Sequence, residues 1–485
     1  MSMWRNRLRK RKTGYIGTWK AYQSVLKQGT NKEEQRRKRS KYLLIILIFL
    51  GMVYIISGSP LIGTAYYRSS GKAGAASKDK KGSAKDELRR ILGARRFTNL
   101  ANPYVSIKTN DRNLHVKTTI DPELQQSVLN TLNPTASRYM SVVVMNPVNG
   151  KILSMVSYDR DNRENNTCVS NRFPAASIFK IITAAAAIEK CGFNAESEIS
   201  FIGRKHTLYR SQVKKAGGHN MTLRDSFAQS VNPIFGKIGV HYVGKKALEK
   251  YAQSFGFNRV INFDLPLQPS VVYMSADDPF QWAEVASGYN RDTIISPIHG
   301  AMIASAVVNQ GKLVEPILVD EVWDQNGKKL YQSSPRQINQ AISSYTSSVL
   351  KKLMEETIES GTCRKSFKDY ETDRILSQLN IGGKTGTINS KNHDGRRFDW
   401  FVGFAEDPAG NKKIAISIAI VHEKLIGVKA NQYAHEIIRS YFGSYVSKTP
   451  VKQLVKAKSS PKLSSKSHHR NISSYHHKKK KRIGG

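Results

Sequence analysis

The stretch SVVVMNPVNGKILSMVSY, residues 141–158, predicts what kind of sheet this chain builds. Two runs rich in apolar residues, SVVVMN and KILSMVSY, flank the segment Pro147-Val-Asn-Gly150. An Asn-Gly pair supplies the positive φ angles of a tight turn, so we expect the two runs to form an antiparallel hairpin.

Three more strands are expected near the other end of the chain. NIGGKTGTINS (380–390) is followed by DWFVGFAED (399–407) and KIAISIAIVHE (413–423), and an Asp-Pro-Ala-Gly turn separates the last two. A helix at about 430–443 closes this part of the chain.

The interval between the two groups of strands is helical in character. The expected helices are an alanine-rich apolar one over 177–190 and further ones over 222–241 and 244–256. Upstream, an extended segment at 116–120 leads into a helix that Asp121 caps, with Pro122 in its first turn. This order predicts an α+β domain, in which helices flank an antiparallel five-stranded sheet and a helical subdomain is inserted between strands.

The chain of 485 residues is strongly basic, because 77 Lys and Arg against 37 Asp and Glu give a net charge of +40. Such an excess attracts nucleic acid, acidic lipid headgroups or anionic cell-envelope polymers. The excess is concentrated at the ends, since residues 1–41 hold 14 Lys and Arg and residues 446–485 hold 12. The part between them is only moderately basic, so we expect no nucleic-acid partner.

Residues 42–64 carry no charge and are long enough to cross the roughly 30 Å hydrocarbon core of a membrane as a helix. The basic arm 1–41 precedes them, so we expect a cytoplasmic arm, a single-pass anchor in the cytoplasmic (inner) membrane, and an extracytoplasmic or periplasmic domain. A cleaved signal peptide, with a small-residue site at 73–75, is the alternative. Residues 65–112 are expected to form a linker and a short membrane-proximal segment. The Lys/Ser/His-rich tail 446–485 is expected to be disordered.

The three cysteines show no spacing typical of a metal site, and we expect neither a metal nor a cofactor. Outside the cytoplasm two of them could pair, with Cys168 and Cys191 as one candidate, and an odd count leaves at least one thiol free. Structural thiols are the simpler interpretation.

The Gly-Gly-Lys-Thr-Gly run inside 380–390 has two alternative meanings. A phosphate-binding loop needs a glycine five residues before Gly383, and that position is Gln378. The other meaning is a site that acts on carbonyl compounds. A second Lys-Thr-Gly at 12–14, in the basic arm, means that the tripeptide alone decides nothing.

Acyl transfer through a covalent intermediate needs a nucleophilic hydroxyl, a base within hydrogen-bonding reach and donors for the oxyanion. Ser177 and Lys180 stand three residues apart on an expected helix, so one turn brings the amine beside the hydroxyl. The apolar surroundings of Lys180 favour its neutral, basic form. Other Ser-x-x-Lys pairs lie in polar segments of the sequence. The alternative to a catalytic pair is that Lys180 is a surface lysine beside a serine that caps the helix.

Two further elements follow in order along the chain. AQSVNP places a hydroxyl and an amide, Ser230 and Asn232, at i and i+2. GGKTGT supplies Lys384 and two hydroxyls, and its glycines allow a substrate to approach the backbone. Lys384 can attract a carboxylate and, as a like charge, help to keep Lys180 neutral.

The chain from about 113 to 445 resembles the transpeptidase domain of penicillin-binding proteins. Ser-x-x-Lys, a Ser-containing triplet and Lys-Thr-Gly are motifs of these proteins and of class A β-lactamases. Similar stretches in the usual order are TTIDPELQQSVLNTL, VVVMNPVNGKILSMVS, ISPIHGAMIASAVVNQG, NQGKLVEP and DWFVGF. The resemblance implies a β-lactamase/transpeptidase-like fold. It also implies a peptidoglycan D,D-transpeptidase that crosslinks stem peptides and is inhibited covalently by β-lactams.

The resemblance also implies roles for the catalytic residues. Ser177 is expected to attack the penultimate D-alanine carbonyl, and Lys180 to take the proton of the hydroxyl. Ser230 and Asn232 are expected to relay protons and to hold the substrate amide.

The same resemblance assigns substrate binding to one strand. The residues expected to bind the terminal carboxylate region are Lys384, Thr385, Gly386 and Thr387. The backbone N–H groups of Ser177 and Thr387 are expected to form the oxyanion hole.

The chain also departs from the family pattern. Pro174-Ala-Ala-Ser177 stands where many relatives have Pro-Gly-Ser, which we expect to change the local backbone rather than the chemistry. Residues 65–112 are too few for a glycosyltransferase domain, so a separate glycosyltransferase is an expected partner, and the basic tail is a candidate for binding anionic envelope polymers.

Other activities stay open at this stage. A D,D-carboxypeptidase uses the same residues with water as the acceptor. A β-lactamase needs a group that activates water, and no Glu-x-x-Leu-Asn-like stretch follows Asn232. A non-catalytic β-lactam sensor or scaffold is the third alternative.

Overall fold

The structure is a computed structural model, and it describes residues 84–92, 97–109, 113–391 and 394–446. The expected arm (1–41), the anchor (42–64) and the tail beyond residue 446 lie outside these ranges. Within the described ranges, no helix has both the length and the apolar character that a membrane span requires.

The central sheet has five strands, and each strand is antiparallel to its neighbours. In spatial order they are β13 (Asn380–Asn389), β14 (Arg397–Glu406), β15 (Lys413–His422), β3 (Ser137–Met145) and β4 (Ile152–Asp159). The hairpin and the three later strands expected from the sequence therefore form one sheet. The last strand, β15, pairs with the first, β3, and the edge strand β13 carries the Lys-Thr-Gly motif.

Shorter strands build smaller sheets around this centre. One four-stranded sheet contains β1 (Tyr104–Lys108), β2 (Asn113–Thr118), β10 (Val319–Asp324) and β11 (Lys329–Gln332). The two-stranded pairs are β5 (Phe173–Pro174) with β8 (Ile294–Ile295), β6 (Glu198–Phe201) with β7 (His219–Thr222), and β9 (Lys312–Val314) with β12 (Gln337–Gln340).

Helices cover both faces of the central sheet. In chain order they are α1 (Ala84–Leu92), α2 (Pro122–Thr131), α3 (Lys180–Cys191), α4 (Arg210–Lys214), α5 (Leu223–Ala228), α6 (Asn232–Lys237), α7 (Lys245–Ser254), α8 (Pro279–Ser287), α9 (Pro297–Val308), α10 (Ser344–Glu359) and α11 (Ala430–Val446). Helices α2 and α11 pack on one face, and α9 and α10 pack on the other. Helices α3 to α8 lie in the insertion between β4 and β13, which confirms the predicted α+β arrangement.

The alternation of side chains along β14 shows how the sheet separates two apolar clusters. Trp400, Val402 and Phe404 belong to the cluster that includes α3 and α9, whereas Phe401 and Ala405 belong to the cluster that includes α11. Successive residues of a strand point to opposite faces. A strand covered on both faces must therefore be apolar throughout, which is why 413–422 reads as a nearly continuous apolar run.

Two local predictions were wrong in detail. In the first hairpin only Gly150 has a positive φ, 79°, and its N–H donates to the carbonyl oxygen of Asn146 at 3.0 Å, so the turn is wider than a two-residue one. The helix expected over 222–241 is broken, because α5 ends at Ala228 and Ser230 has a left-handed φ of 57°. A second helix then begins with Pro233 in its first turn.

Helix α1 packs against the domain through a buried lysine. Lys85 donates to the carbonyl oxygens of Asn262 (3.0 Å) and Pro316 (3.2 Å) and lies 3.5 Å from carboxylate oxygens of Asp264 and Glu315. A buried ammonium group requires such partners. The described part of the 65–112 segment, expected to be a linker and a membrane-proximal piece, thus contacts the fold through α1 and through the pairing of β1 with β2.

Candidate active site

Ser177 lies on a 3-10 turn, Ala176–Phe179, that directly precedes α3. The helix expected from residue 177 therefore becomes α-helical only at Lys180. Two hydrogen bonds hold the segment before the turn: Ala175 N donates to Thr293 O (2.8 Å), and Trp400 Nε1 donates to Pro174 O (2.9 Å). The nucleophile is thus fixed to the sheet by a side chain of β14.

The backbone just before Ser177 is left-handed. Ala176 has a φ of 47°, a conformation that costs a non-glycine residue about 1–2 kcal/mol. This is the position of the glycine in the Pro-Gly-Ser of many relatives. Gly288, which ends α8, packs against this turn so closely that a Cβ there would lie 1.9 Å from Ala176 O and 2.9 Å from Ser177 N.

Lys180 is fully buried, and three oxygen atoms surround its amine. Nζ lies 2.8 Å from Ser177 Oγ and 2.7 Å from Asn232 Oδ1, and it also donates to the carbonyl oxygen of Ser287. A neutral amine has two N–H donors and one lone pair. The amide and carbonyl oxygens can only accept hydrogen bonds, so they take the two N–H groups. The lone pair is then left to face the Ser177 hydroxyl.

Burial keeps this amine in its basic form. The pKa of Lys180 is lowered well below its usual value, first by burial and then by the charge of Lys384. Lys384 is also fully buried, and burial lowers its pKa to about 7. Each Nζ atom lies 5.5 Å from an aromatic ring centroid, that of Phe235 for Lys180 and that of Phe227 for Lys384.

Ser230 and Asn232 lie at the junction between α5 and α6. The left-handed backbone at Ser230 turns the chain so that both side chains line the same cleft as Ser177. Asn232 is held at both ends, since its Oδ1 accepts from Lys180 and its Nδ2 donates to the carbonyl oxygen of His206 (3.1 Å). Its side chain therefore links the base to the loop before α4.

The Lys-Thr-Gly-Thr segment of β13 runs beside the nucleophile turn. A Cβ on Gly386 would lie 3.3 Å from atoms of Ala176 and Ile178, so the strand and the turn are in close contact. The Thr385 and Thr387 hydroxyls line the cleft, and Thr385 is 2.6 Å from the Thr362 hydroxyl.

These residues converge on one cleft of about 590 Å³. Of the eight site residues expected from the sequence, five line it directly: Ser177, Ser230, Asn232, Thr385 and Thr387. Lys180, Lys384 and Gly386 lie just behind this lining. Further lining residues that sequence reasoning missed are His206, Gly288, Tyr289, Arg291, Thr362, Ile388, Asn389, Arg397, Asp399, Lys429 and Asn431.

Asp399 is the buried carboxylate among the missed residues. It lies directly opposite Thr387 in the sheet, and its oxygens lie 3.5 Å from Thr387 Oγ1, 3.5 Å from His422 Nε2 and 3.0 Å from Ala430 N. These contacts connect the Lys-Thr-Gly-Thr strand to the start of α11. The Asp-Trp pair of DWFVGF was the available signal, because an acid beside an apolar strand indicates a specific contact.

One possibility raised by the sequence, a disulfide between Cys168 and Cys191, finds no support in the structure. All three cysteines are free thiols, and burial raises the pKa of Cys363 to about 12. The suggested pairing of Cys168 with Cys191 is therefore not present in this structure. Among the described residues, no group of three His, Cys, Asp or Glu side chains is arranged to hold a metal ion.

A serine hydroxyl facing the lone pair of a buried lysine, beside the edge strand of a five-stranded antiparallel sheet, defines the class of serine acyltransferases that form an acyl-enzyme. The chain belongs to the penicillin binding protein transpeptidase domain family, whose family model matches residues 140–442.

Relatives with curated descriptions agree with this assignment. The chain is 29% identical over 336 residues to stage V sporulation protein D of Bacillus subtilis, covering 64% of this chain and 50% of that protein. It is 27% identical over 350 residues to the peptidoglycan D,D-transpeptidase PbpA of Mycolicibacterium smegmatis, covering 63% of this chain and 67% of that protein. The chain thus spans half to two thirds of the length of these relatives.

Solved structures share the fold. The D,D-transpeptidase domain of a peptidoglycan glycosyltransferase from Eggerthella lenta is 25% identical, with a TM-score of 0.57 over 68% of this chain and 83% of that one. Penicillin-binding protein A from M. tuberculosis, solved as an imipenem acyl-enzyme complex, is 22% identical, with a TM-score of 0.55 over 67% of this chain and 79% of that one.

Proposed function

We propose that this protein is a peptidoglycan D,D-transpeptidase that crosslinks stem peptides through an acyl-enzyme on Ser177. The observation that carries the proposal is the arrangement around Lys180, in which two acceptor oxygens occupy the N–H groups and leave the lone pair for Ser177. Membership of the transpeptidase family and the likeness to PbpA, which is named as a peptidoglycan D,D-transpeptidase, support the same reaction.

In the acylation step, Lys180 takes the hydroxyl proton while Ser177 Oγ bonds to the carbonyl carbon of the penultimate D-alanine. The backbone N–H groups of Ser177 and Thr387 receive the developing oxyanion. The C–N bond to the terminal D-alanine then breaks, and the leaving amine accepts a proton that Ser230 passes on.

Substrate positioning falls to β13 and to the 230–232 segment. The Thr385 and Thr387 hydroxyls line the cleft and are able to bind the terminal carboxylate, and the buried charge of Lys384 attracts it from behind. Asn232 donates to the backbone of His206 in the free protein, so its main role is to hold Lys180, with the substrate amide as a further partner.

An amine from a neighbouring stem peptide resolves the acyl-enzyme and forms the crosslink. A β-lactam enters the same acylation step, and its opened ring remains attached to Ser177. Hydrolysis by water gives the D,D-carboxypeptidase reaction from the same intermediate.

Labelling with fluorescent penicillin tests the nucleophile. The wild type is expected to label, and Ser177→Ala should lose the label completely. Ser211→Ala removes the hydroxyl of another Ser-x-x-Lys pair, at an exposed position of helix α4, and should label normally. No labelling of the folded wild type refutes the enzyme, and labelling of Ser177→Ala reassigns the nucleophile.

The acceptor is tested separately with a pentapeptide and an amine of stem-peptide type. A transpeptidase is expected to form the crosslinked product faster than the hydrolysed tetrapeptide at millimolar amine. Exclusive hydrolysis identifies a carboxypeptidase, and rapid turnover of penicillin itself identifies a β-lactamase.

The location of the reaction follows from the segments outside the described residues. In our proposal residues 42–64 anchor the chain in the cytoplasmic membrane, 1–41 stay inside, and the domain, assigned to 113–445, acts outside on glycan strands made by a separate glycosyltransferase. The tail 446–485 carries twelve basic residues and no acid, which suits binding of anionic envelope polymers. Protease added to intact spheroplasts should remove the domain, and survival of the domain would contradict this topology.

A further inference from the structure

The far end of the active-site cleft, beyond the Lys-Thr-Gly-Thr segment, is lined by three cationic side chains. We propose that Arg397, Lys429 and Arg291 form a second carboxylate-binding subsite, which receives an acidic group of the stem peptide other than its terminal carboxylate. This inference rests on the proposed function and names a feature of the substrate.

Sheet pairing places the two arginines together. Arg397 lies opposite Asn389 in the pairing of β14 with β13. Arg291 reaches the same point from the loop after α8, because its Nε donates to the carbonyl oxygen of Asn389 at 2.8 Å. Both residues therefore lie at the end of β13, and both line the cleft.

Lys429 joins them through Asp399. Arg397 and Asp399 are two residues apart on β14, so their side chains leave the same face of the strand. The carboxylate of Asp399 accepts from Ala430 N at 3.0 Å, which holds the adjacent Lys429 beside this end of the sheet. The three cations thus come from a loop, a strand and the start of a helix.

Two of the three cations at this end have no ion-pair partner in the described ranges. In the ranges that the structure describes, neither Arg397 nor Lys429 forms a salt bridge. Asp399, the acid in the cleft lining, is already engaged by Thr387, His422 and the start of α11. Cations left without counter-ions in a cleft attract an anionic part of the ligand.

A buried amide in the same cleft points to a peptide rather than to a simple anion. Asn431 lines the cleft and is only 7% exposed, and its Oδ1 has no hydrogen-bond partner among the described residues. A buried acceptor without a partner is costly, and a peptide N–H beside the carboxylate supplies the missing donor.

This subsite differs from the one at Lys384. Lys384 is fully buried behind β13, and its amine donates to the carbonyl oxygen of Thr385 at 3.1 Å. Lys429 is exposed, and Arg291 and Arg397 are half-buried. A stem peptide can therefore place its terminal carboxylate near Lys384 while a second acidic group meets the arginines, and amidation of that group removes the second contact.

The test uses two stem pentapeptides that differ only in that internal group, one with a free carboxylate and one with a carboxamide. Each is measured as a competitor of fluorescent-penicillin labelling of the full chain. We expect the carboxylate peptide to compete about 5- to 10-fold better, because each partly exposed ion pair contributes up to about 1 kcal/mol. The ratio should shrink as salt is raised.

Charge removal completes the test. In the double variant Arg397→Gln/Lys429→Gln, which keeps Arg291, the ratio of the two peptides should fall well below the wild-type ratio. The matched control Arg259→Gln/Lys312→Gln removes the same charges at exposed positions outside the cleft and should keep the wild-type ratio.

The outcomes separate the two proposals. Failure of the wild type to label with penicillin refutes the proposed function. Normal labelling in which the two peptides compete equally, or neither competes at millimolar concentration, refutes the subsite alone. A preference that is undiminished in the double variant also refutes it, and thermal melting of each variant identifies any loss of folding. Since the wild-type comparison needs no variant, it decides the matter even if the double variant fails to fold.

Discussion

Replacing Gly288 by alanine should displace the nucleophile Ser177, although Gly288 itself takes no part in the reaction. Gly288 ends α8 with φ 66° and ψ 21° and lies against the turn that holds Ser177. A Cβ there would lie 1.9 Å from Ala176 O and 2.4 Å from the carbonyl carbon, both backbone atoms that cannot rotate away.

The size of the effect follows from these distances. Real Cβ contacts are essentially never shorter than 3.0 Å, so the turn and the end of α8 must separate by about 1 Å. A displacement of about 1 Å at a reacting atom lowers a rate by about 100-fold. The left-handed backbone adds about 1–2 kcal/mol of destabilisation for any non-glycine residue.

Gly192 provides a matched control. It ends α3 with φ 69° and ψ 20°, nearly the same conformation as Gly288, but nothing lies within 4 Å of its Cβ position. Gly192→Ala should therefore carry the same backbone cost without moving Ser177. Gly192→Ala is expected to lose about 1–2 kcal/mol of unfolding free energy. Gly288→Ala should lose more, because the steric clash adds to the backbone cost, and only this variant should also lose acylation.

The assay is the second-order rate of labelling by fluorescent penicillin, combined with urea denaturation followed by circular dichroism. The expected result is a labelling rate about 100-fold lower for Gly288→Ala than for Gly192→Ala at equal folded fraction. If the two variants label within about threefold of each other, close packing at Gly288 does not set the position of the nucleophile.

Four further predictions concern protonation, the buried carboxylate of Asp399 and backbone strain. Because burial lowers the pKa of Lys384 to about 7, kcat/KM for a carboxylate-bearing substrate should fall as pH rises through about 7. Lys384→Arg, which stays charged, should remove that decline. The folded state also binds fewer protons than the unfolded state between about 7 and the unfolded value of 10.5. The free energy of unfolding should therefore rise with pH in this window, and less steeply in Lys384→Met. Asp399→Asn weakens the contacts to Thr387 and α11 and should lower the free energy of unfolding by about 1–3 kcal/mol; an unchanged urea midpoint would contradict this. Ala176→Gly relieves a φ of 47° and should raise the free energy of unfolding by up to about 1 kcal/mol, so a lower midpoint would count against the strain.

The parts of the fold that follow from the sequence are those with a strong local signal. The runs 399–407 and 413–423 are apolar because both faces of the sheet are covered, and the structure confirms them as strands. Ser177 and Lys180 were identifiable because a lysine in an alanine-rich apolar segment is rare without a chemical reason.

The parts that the sequence could not supply depend on contacts over long separations. The carbonyl oxygen of Ser287 helps to orient Lys180. Every residue type has a backbone carbonyl, so the sequence does not indicate this contact. The left-handed conformation of Ala176 is imposed by its neighbours, since alanine does not favour it. The sheet of β1, β2, β10 and β11 joins segments about 200 residues apart and is half exposed, so its strands lack an apolar run.

The three oxygen contacts of Lys180 have a consequence for when the protein becomes reactive. Two of them come from residues 52 and 107 positions further along the chain, so the base is assembled only after the helical insertion has folded back onto α3. Before that, Ser177 is an ordinary alcohol beside a solvated, protonated lysine. Covalent capture by penicillin therefore counts only chains that have completed these long-range contacts. The rate at which labelling appears during refolding therefore measures the rate of the last stage of folding.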